Sequence, residues 1–197
     1  RLMSLPEVFM PEDFCYLRGA REEMFFKLLQ LHFAPNPVEV MQWLLEHGMA
    51  SSLAAYGEDE KTAIAIVRQG TMALSRWTNG IRRKIQSCPG HIDLTNNLKR
   101  ACFTDDGNLL FVHASIDKTR PLTMQKDQFW WDNGAFDKLD QKFSEFIKVI
   151  RGYDHSNSGI DLNGQFTATI DGGCGRGGKL HAICFTPDGI KHDEITS

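Results

Sequence analysis

Leu109-Leu110-Phe111-Val112-His113 is the stretch that decides the fold class of this chain. Four consecutive apolar residues ending on a histidine form the pattern of a strand covered on both faces, since a strand with one wet face would alternate. The turn sequence Asp105-Asp106-Gly107-Asn108 stands directly before it and gives the strand a defined start. Downstream, residues 143–150 close on Ile147, Val149 and Ile150, a second candidate for a buried strand. Residues 165–170 alternate and are rich in β-formers, and residues 180–185 make a further strand candidate. Between these two, residues 172–178 carry five glycines in seven positions, which predicts a sharply turning loop.

Upstream the pattern changes to a helical period. Residues 22–32 bring Met24, Phe25, Leu28, Leu29 and Leu31 onto one face. Asn36-Pro37 opens another helix, because proline in a first turn sacrifices no hydrogen bond; Gly48 ends it, with His47 in the last turn. Residues 61–76 predict one helix with Ile64, Val67 and Leu74 inward, and residues 81–86 and 95–101 predict shorter ones. Residues 14–17 predict a short strand ending at Gly19, and residues 1–5 the tail of a helix stopped by Pro6. Helices dominate the first half and strands the second, which points to a layered α/β protein.

The 197 residues, 42% hydrophobic and 24% charged, suit one soluble domain spanning 1–197. A net charge of -3 supplies none of the basic stripe that nucleic acid requires. No apolar run reaches membrane-spanning length, so neither nucleic acid nor membrane is an expected partner. Cys15, Cys88, Cys102, Cys174 and Cys184 show no C-x-x-C pair and no zinc spacing. They read as buried free thiols in a reducing cytoplasm.

Four stretches, in order, carry a resemblance. They are Leu17-Arg18-Gly19-Ala20-Arg21-Glu22-Glu23-Met24, then Leu110-Phe111-Val112-His113-Ala114-Ser115-Ile116-Asp117, then Val149-Ile150-Arg151-Gly152-Tyr153-Asp154, and finally Thr169-Ile170-Asp171-Gly172-Gly173-Cys174 continuing to Gly178-Lys179-Leu180. They resemble the L-R-G-N-H-E-x-M, F-V-H-A-G-I-D, V-V-x-G-H-T and I-D-T-G…G-G-x-L segments of calcineurin-like metallophosphoesterases, in the branch of the bacterial serine/threonine protein phosphatases and diadenosine tetraphosphatases. The resemblance implies an αββα sandwich with mixed sheets. It also implies that the chain corresponds to the C-terminal two-thirds of such a domain, with the D-x-H and G-D-x-x-D-R-G segments upstream of Arg1.

The family works with two divalent cations that clamp phosphate oxygens and activate a bridging water. On that resemblance the metal-binding asparagine is replaced by Ala20, the second histidine by Tyr153, and the general-acid histidine by Arg21, while His113 remains as a residual metal ligand. Glu22 holds a catalytic position of the family and also suits the first turn of a helix. Arginine stays protonated at working pH and cannot cycle a proton. Arg21, with Arg18 and Arg151 in their motifs and Tyr153 as a hydroxyl donor, therefore reads as a metal-free pocket for a phosphate-bearing ligand. An internal salt bridge is the competing role for Arg21. His155 reads as an exposed loop histidine. His32, His47, His91, His181 and His192 read as surface or cap residues. Phe129-Trp130-Trp131 reads as packing, with a stacking platform for a base as the alternative. The expected function is that of a pseudophosphatase, binding a phosphate-bearing small molecule or protein partner with no cofactor. The alternatives are an active phosphohydrolase using Mn²⁺ or another divalent metal on nucleotides or phosphoproteins, and a structural subunit with a filled cleft.

Overall fold

The computed structural model describes residues 13–197. The predicted helix tail at residues 1–5 lies outside them. The protein comprises two compact units, a helical one with its main body at Ala20–Leu98 and a sheet unit built from Cys15–Gly19 and Lys99–Ser197. With six helices and a four-stranded mixed sheet among the described residues, the fold is mixed α/β.

The helical unit runs α1 (Ala20–Leu29), α2 (Pro37–Glu46), α3 (Met49–Ala55), α4 (Glu60–Arg68), α5 (Thr71–Ser87) and α6 (His91–Asn97). Its second helix starts as the sequence predicts, with Pro37 in the first turn and the Asn36 side chain accepting a hydrogen bond from the Glu39 amide at 3.4 Å. Leu28, Met41, Leu44, Met49, Leu53, Leu74 and Ile81 are fully buried and form its core. Each such side chain contributes roughly 1.5–3 kcal/mol of hydrophobic stabilisation. The single helix predicted over residues 61–76 is two helices. Gly70 separates them at φ 93° and ψ 179°, a conformation open to glycine and closed to residues with a Cβ. The helix predicted over 95–101 ends earlier, at Asn97, because Ala101 already belongs to a strand.

In the sheet unit, β1 (Ala101–Phe103), β2 (Leu109–Val112), β3 (Lys148–Arg151) and β4 (Thr167–Thr169) pair in that order. β1 lies antiparallel to β2, whereas β2, β3 and β4 are mutually parallel. Leu109, Leu110 and Val112 are at most 2% exposed, so the opening stretch is the buried strand its composition predicts. The register sets Val112 beside Arg151 and Arg151 beside Thr169. The chain therefore leaves all three parallel strands at the same sheet edge, which is where open α/β sheets gather ligand-contacting residues. β3 is shorter than residues 143–150 predict. Ser144, at φ 53°, folds Phe143 back so that it bridges to Phe146 before the strand begins. The strand predicted at residues 14–17 reduces to one bridge between Leu17 and Lys99. β5 (His181–Phe185) and β6 (Lys191–Thr196) form a separate antiparallel pair, whose second strand the sequence pattern did not suggest.

The cysteines depart from expectation. Cys15 and Cys102 form a disulfide with Cα atoms 6.3 Å apart, within the span such bonds allow. Cys174 and Cys184 are exposed and Cys88 is half-buried, so the reading of five buried thiols is wrong. Among the described residues no helix is long and apolar enough to cross a membrane.

Candidate functional site

The C-terminal ends of the parallel strands bring together residues separated by long stretches of sequence. His113 directly follows β2, and its carbonyl accepts hydrogen bonds from the Gly152 amide at 3.1 Å and the Tyr153 amide at 2.8 Å. These bonds tie the two loops together at the root. Above them the His113 and Tyr153 rings stack, with centroids 5.1 Å apart and planes inclined by 4°. The guanidinium of Arg176, from the glycine-rich loop after β4, lies 5.6 Å from the Tyr153 ring centroid, in cation–π range.

Arg176 is itself held. It donates to the Asp154 carbonyl at 2.8 Å and to the Asp171 carboxylate at 3.3 Å. Asp171 in turn accepts from the amides of Asp154 at 3.0 Å and Gly173 at 2.8 Å. The Asp154 side chain is buried and accepts from the Ser156 and Ser158 amides at 3.0 and 2.8 Å. Burial alone would raise the Asp154 carboxyl, but the Ser158 and Ser156 amides and the nearby Arg151 outweigh it and hold it below the usual carboxylate range.

Arg151, read from sequence as a ligand contact, faces the protein interior. It is 4% exposed and donates to Thr169 Oγ1 at 2.9 Å. Its ion pairs run to Asp132 at 3.0 Å, Asp154 at 3.2 Å and Asp137 at 3.5 Å. Its guanidinium also sits 4.3 Å from the Phe136 ring centroid. A buried charge is tolerable only when paired and hydrogen-bonded in this way. Arg151 thus braces the sheet edge, joining β3 and β4 to the Asp132 turn.

Ala20, Arg21 and Glu22 belong to the helical unit, at the start of α1, while Arg18 belongs to the sheet unit. Arg21 is exposed and donates to the Gly48 carbonyl and, at 3.5 Å, to Ser51 Oγ. Gly48 must be glycine for this: it stands at φ +88°, and a Cβ there would meet Arg21 Nη1 at 2.7 Å. Glu22 and Glu23 occupy the first turn of α1, where the helix dipole favours negative charge. Arg18 is half-buried, and its carbonyl accepts from Trp130 Nε1 at 3.0 Å. Phe129 and Trp130 are buried, as packing residues should be.

Among the described residues no group of three or more His, Cys, Asp or Glu side chains is arranged to hold a metal ion. His155 is exposed, as expected. His47, His91 and His192 are exposed, as read, whereas His32 and His181 are half-buried. His91 bonds the Tyr56 hydroxyl at 3.0 Å, and His181 bonds Glu194 at 2.6 Å. Sequence reasoning missed Arg176 and Asp154. The signal for Arg176 was a lone cation in a glycine-rich loop leaving a strand, but its contact with Tyr153 depends on the fold. The chain matches no protein-family model, no curated protein and no solved structure.

Proposed function

We propose that this protein is a degenerate metallophosphoesterase-like protein, a pseudophosphatase with an αββα sandwich. In this reading it binds a phosphate-bearing ligand, small molecule or protein partner, without metal-dependent hydrolysis. The observation that carries the reading is the stacked pair of His113 and Tyr153 at the ends of adjacent parallel strands. The resemblance assigns histidines to both positions in working enzymes, and a phenol is a poorer ligand than imidazole for such a metal. What remains suits an anion. Tyr153 offers a hydroxyl, His113 an imidazole, and Arg176 a charge beside the Tyr153 ring. Arg21 lacks the titratable nitrogen that a general acid requires.

One observation favours the structural-subunit reading as a second possibility. Arg151, Asp154, Asp171 and Arg176 are paired with one another, so much of the local charge is already satisfied. The test is elemental analysis of the purified protein together with phosphate release from a nucleoside triphosphate and a phosphopeptide. The expected result is no bound equivalent of metal and no release. Two equivalents of metal, or release that a chelator stops, would overturn the proposal in favour of an active phosphohydrolase.

A further inference from the structure

The helical unit contains a cavity of about 510 Å³ bounded by α1, α3, the end of α5 and α6. That volume is within the range of preformed small-molecule sites, which are mostly apolar with a few polar groups. We infer that this cavity binds a small aromatic monoanion.

Three observations select that class. The first is the character of the wall. Phe25 and Tyr56 stack at 5.4 Å between centroids, and both line the cavity, presenting aromatic surface to it. The second is α6. It has no buried residue, and its Ile92 and Leu94, 38% and 37% exposed, line the cavity. A helix packed onto its own core would bury such side chains, so apolar surface is left here for an occupant. The third is charge. Arg21 and Arg82 line the cavity against the single carboxylate of Glu22, an excess of one cation. Arg82 donates to Asn79 Oδ1 at 2.9 Å and to the Leu29 carbonyl at 2.6 Å, and Arg21 to Gly48 and Ser51. A guanidinium carries five N–H donors, so each arginine is fixed in place with donors to spare.

The inference does not rest on the phosphate-binding proposal, because every residue lining this cavity belongs to the helical unit. The test is a fluorescence titration of the full chain with 1-anilinonaphthalene-8-sulfonate, an aromatic monoanion, and in parallel with neutral N-phenyl-1-naphthylamine. The expected result is saturable one-to-one binding of the anion that raises the melting temperature, with the neutral probe weaker. Arg82→Gln should weaken the anion about 10-fold or more and leave the neutral probe unchanged, as loss of a charge-assisted hydrogen bond predicts. Ile92→Glu, on the exposed helix, should weaken both probes while circular dichroism stays native. This second variant keeps the test valid if Arg82→Gln fails to fold. Absence of saturable binding would overturn the inference. So would anion binding that lowers the melting temperature, or binding indifferent to both cavity variants.

Discussion

The two units are stabilised by different means. The core of the helical unit is apolar, and Thr78 is its one buried polar residue among those described. The sheet unit buries Ser115, Gln125, Arg151, Asp154 and Thr169 beside its aliphatic strands. Arg151, Asp154 and Thr169 among these stand at or just beyond the ends of the parallel strands. Apolar packing tolerates volume-conserving change, whereas a buried ionic network fails when one member is lost. The sheet unit thus concentrates buried polar groups at the C-terminal ends of its parallel strands, at some expense in robustness.

The comparison breaks most visibly at Arg151. Arg151→Met leaves the half-buried Asp132 and buried Asp154 carboxylates without their cation and should cost about 3–5 kcal/mol in urea unfolding. Leu44→Met in the helical core, which conserves volume, should cost less than about 1.5 kcal/mol in the same measurement. Equal effects would show that the two units are not built differently. The next largest effect is expected at the disulfide. It closes a sequence separation of 87 residues, and replacing Cys15 and Cys102 together by serine should lower stability by about 2–4 kcal/mol under oxidising conditions. The same loss should follow from adding a reductant to the unaltered chain.

A smaller effect follows acidification. The Glu194 carboxyl is held down to about 2, from an ordinary 4.5, chiefly by Lys191 and then by His181. Its folded pKa lies below the unfolded one, so its stabilising contribution is present above about pH 4.5 and is lost as pH falls toward about 2. Asp154 shifts in the same direction. Carboxyl-detected NMR titration should find both carboxylates ionised at pH 4.5. A normal titration of Glu194 would remove the β5–β6 ion cluster from the account.

How much of this was legible beforehand depended on whether the determining contact was local. The Asn36-Pro37 helix start and the buried strand read at residues 109–113 are written in neighbouring residues, and both form, the strand at Leu109–Val112 with His113 just beyond it. The break at Gly70 was also local, but a helical apolar period on either side of it concealed it. β1 and β6 are joined to their partners by short turns at residues 104–108 and 186–190, so the pairing is local, but neither strand carries a clear apolar alternation; only the disulfide, across a sequence separation of 87, depends on partners remote in sequence. At the candidate site, the motif order identified His113 and Tyr153 as positions of interest, and they do stack. Arg151 shares the same motif yet faces inward, because strand alternation and three nearby carboxylates decide its direction. Arg176 lies inside the fourth stretch but was given no role there, because it reaches Tyr153 only through the turn of residues 172–178.

The most direct test of the central claim is a thermal-shift screen of the protein against nucleotides, phosphopeptides and pyrophosphate, with and without chelator. The expected result is stabilisation by at least one phosphate compound that chelator leaves unchanged and that Tyr153→Ala or Arg176→Ala reduces. Stabilisation that disappears with chelator would contradict it in favour of a metal-dependent enzyme, and no stabilisation by any phosphate compound would contradict it in favour of a structural subunit.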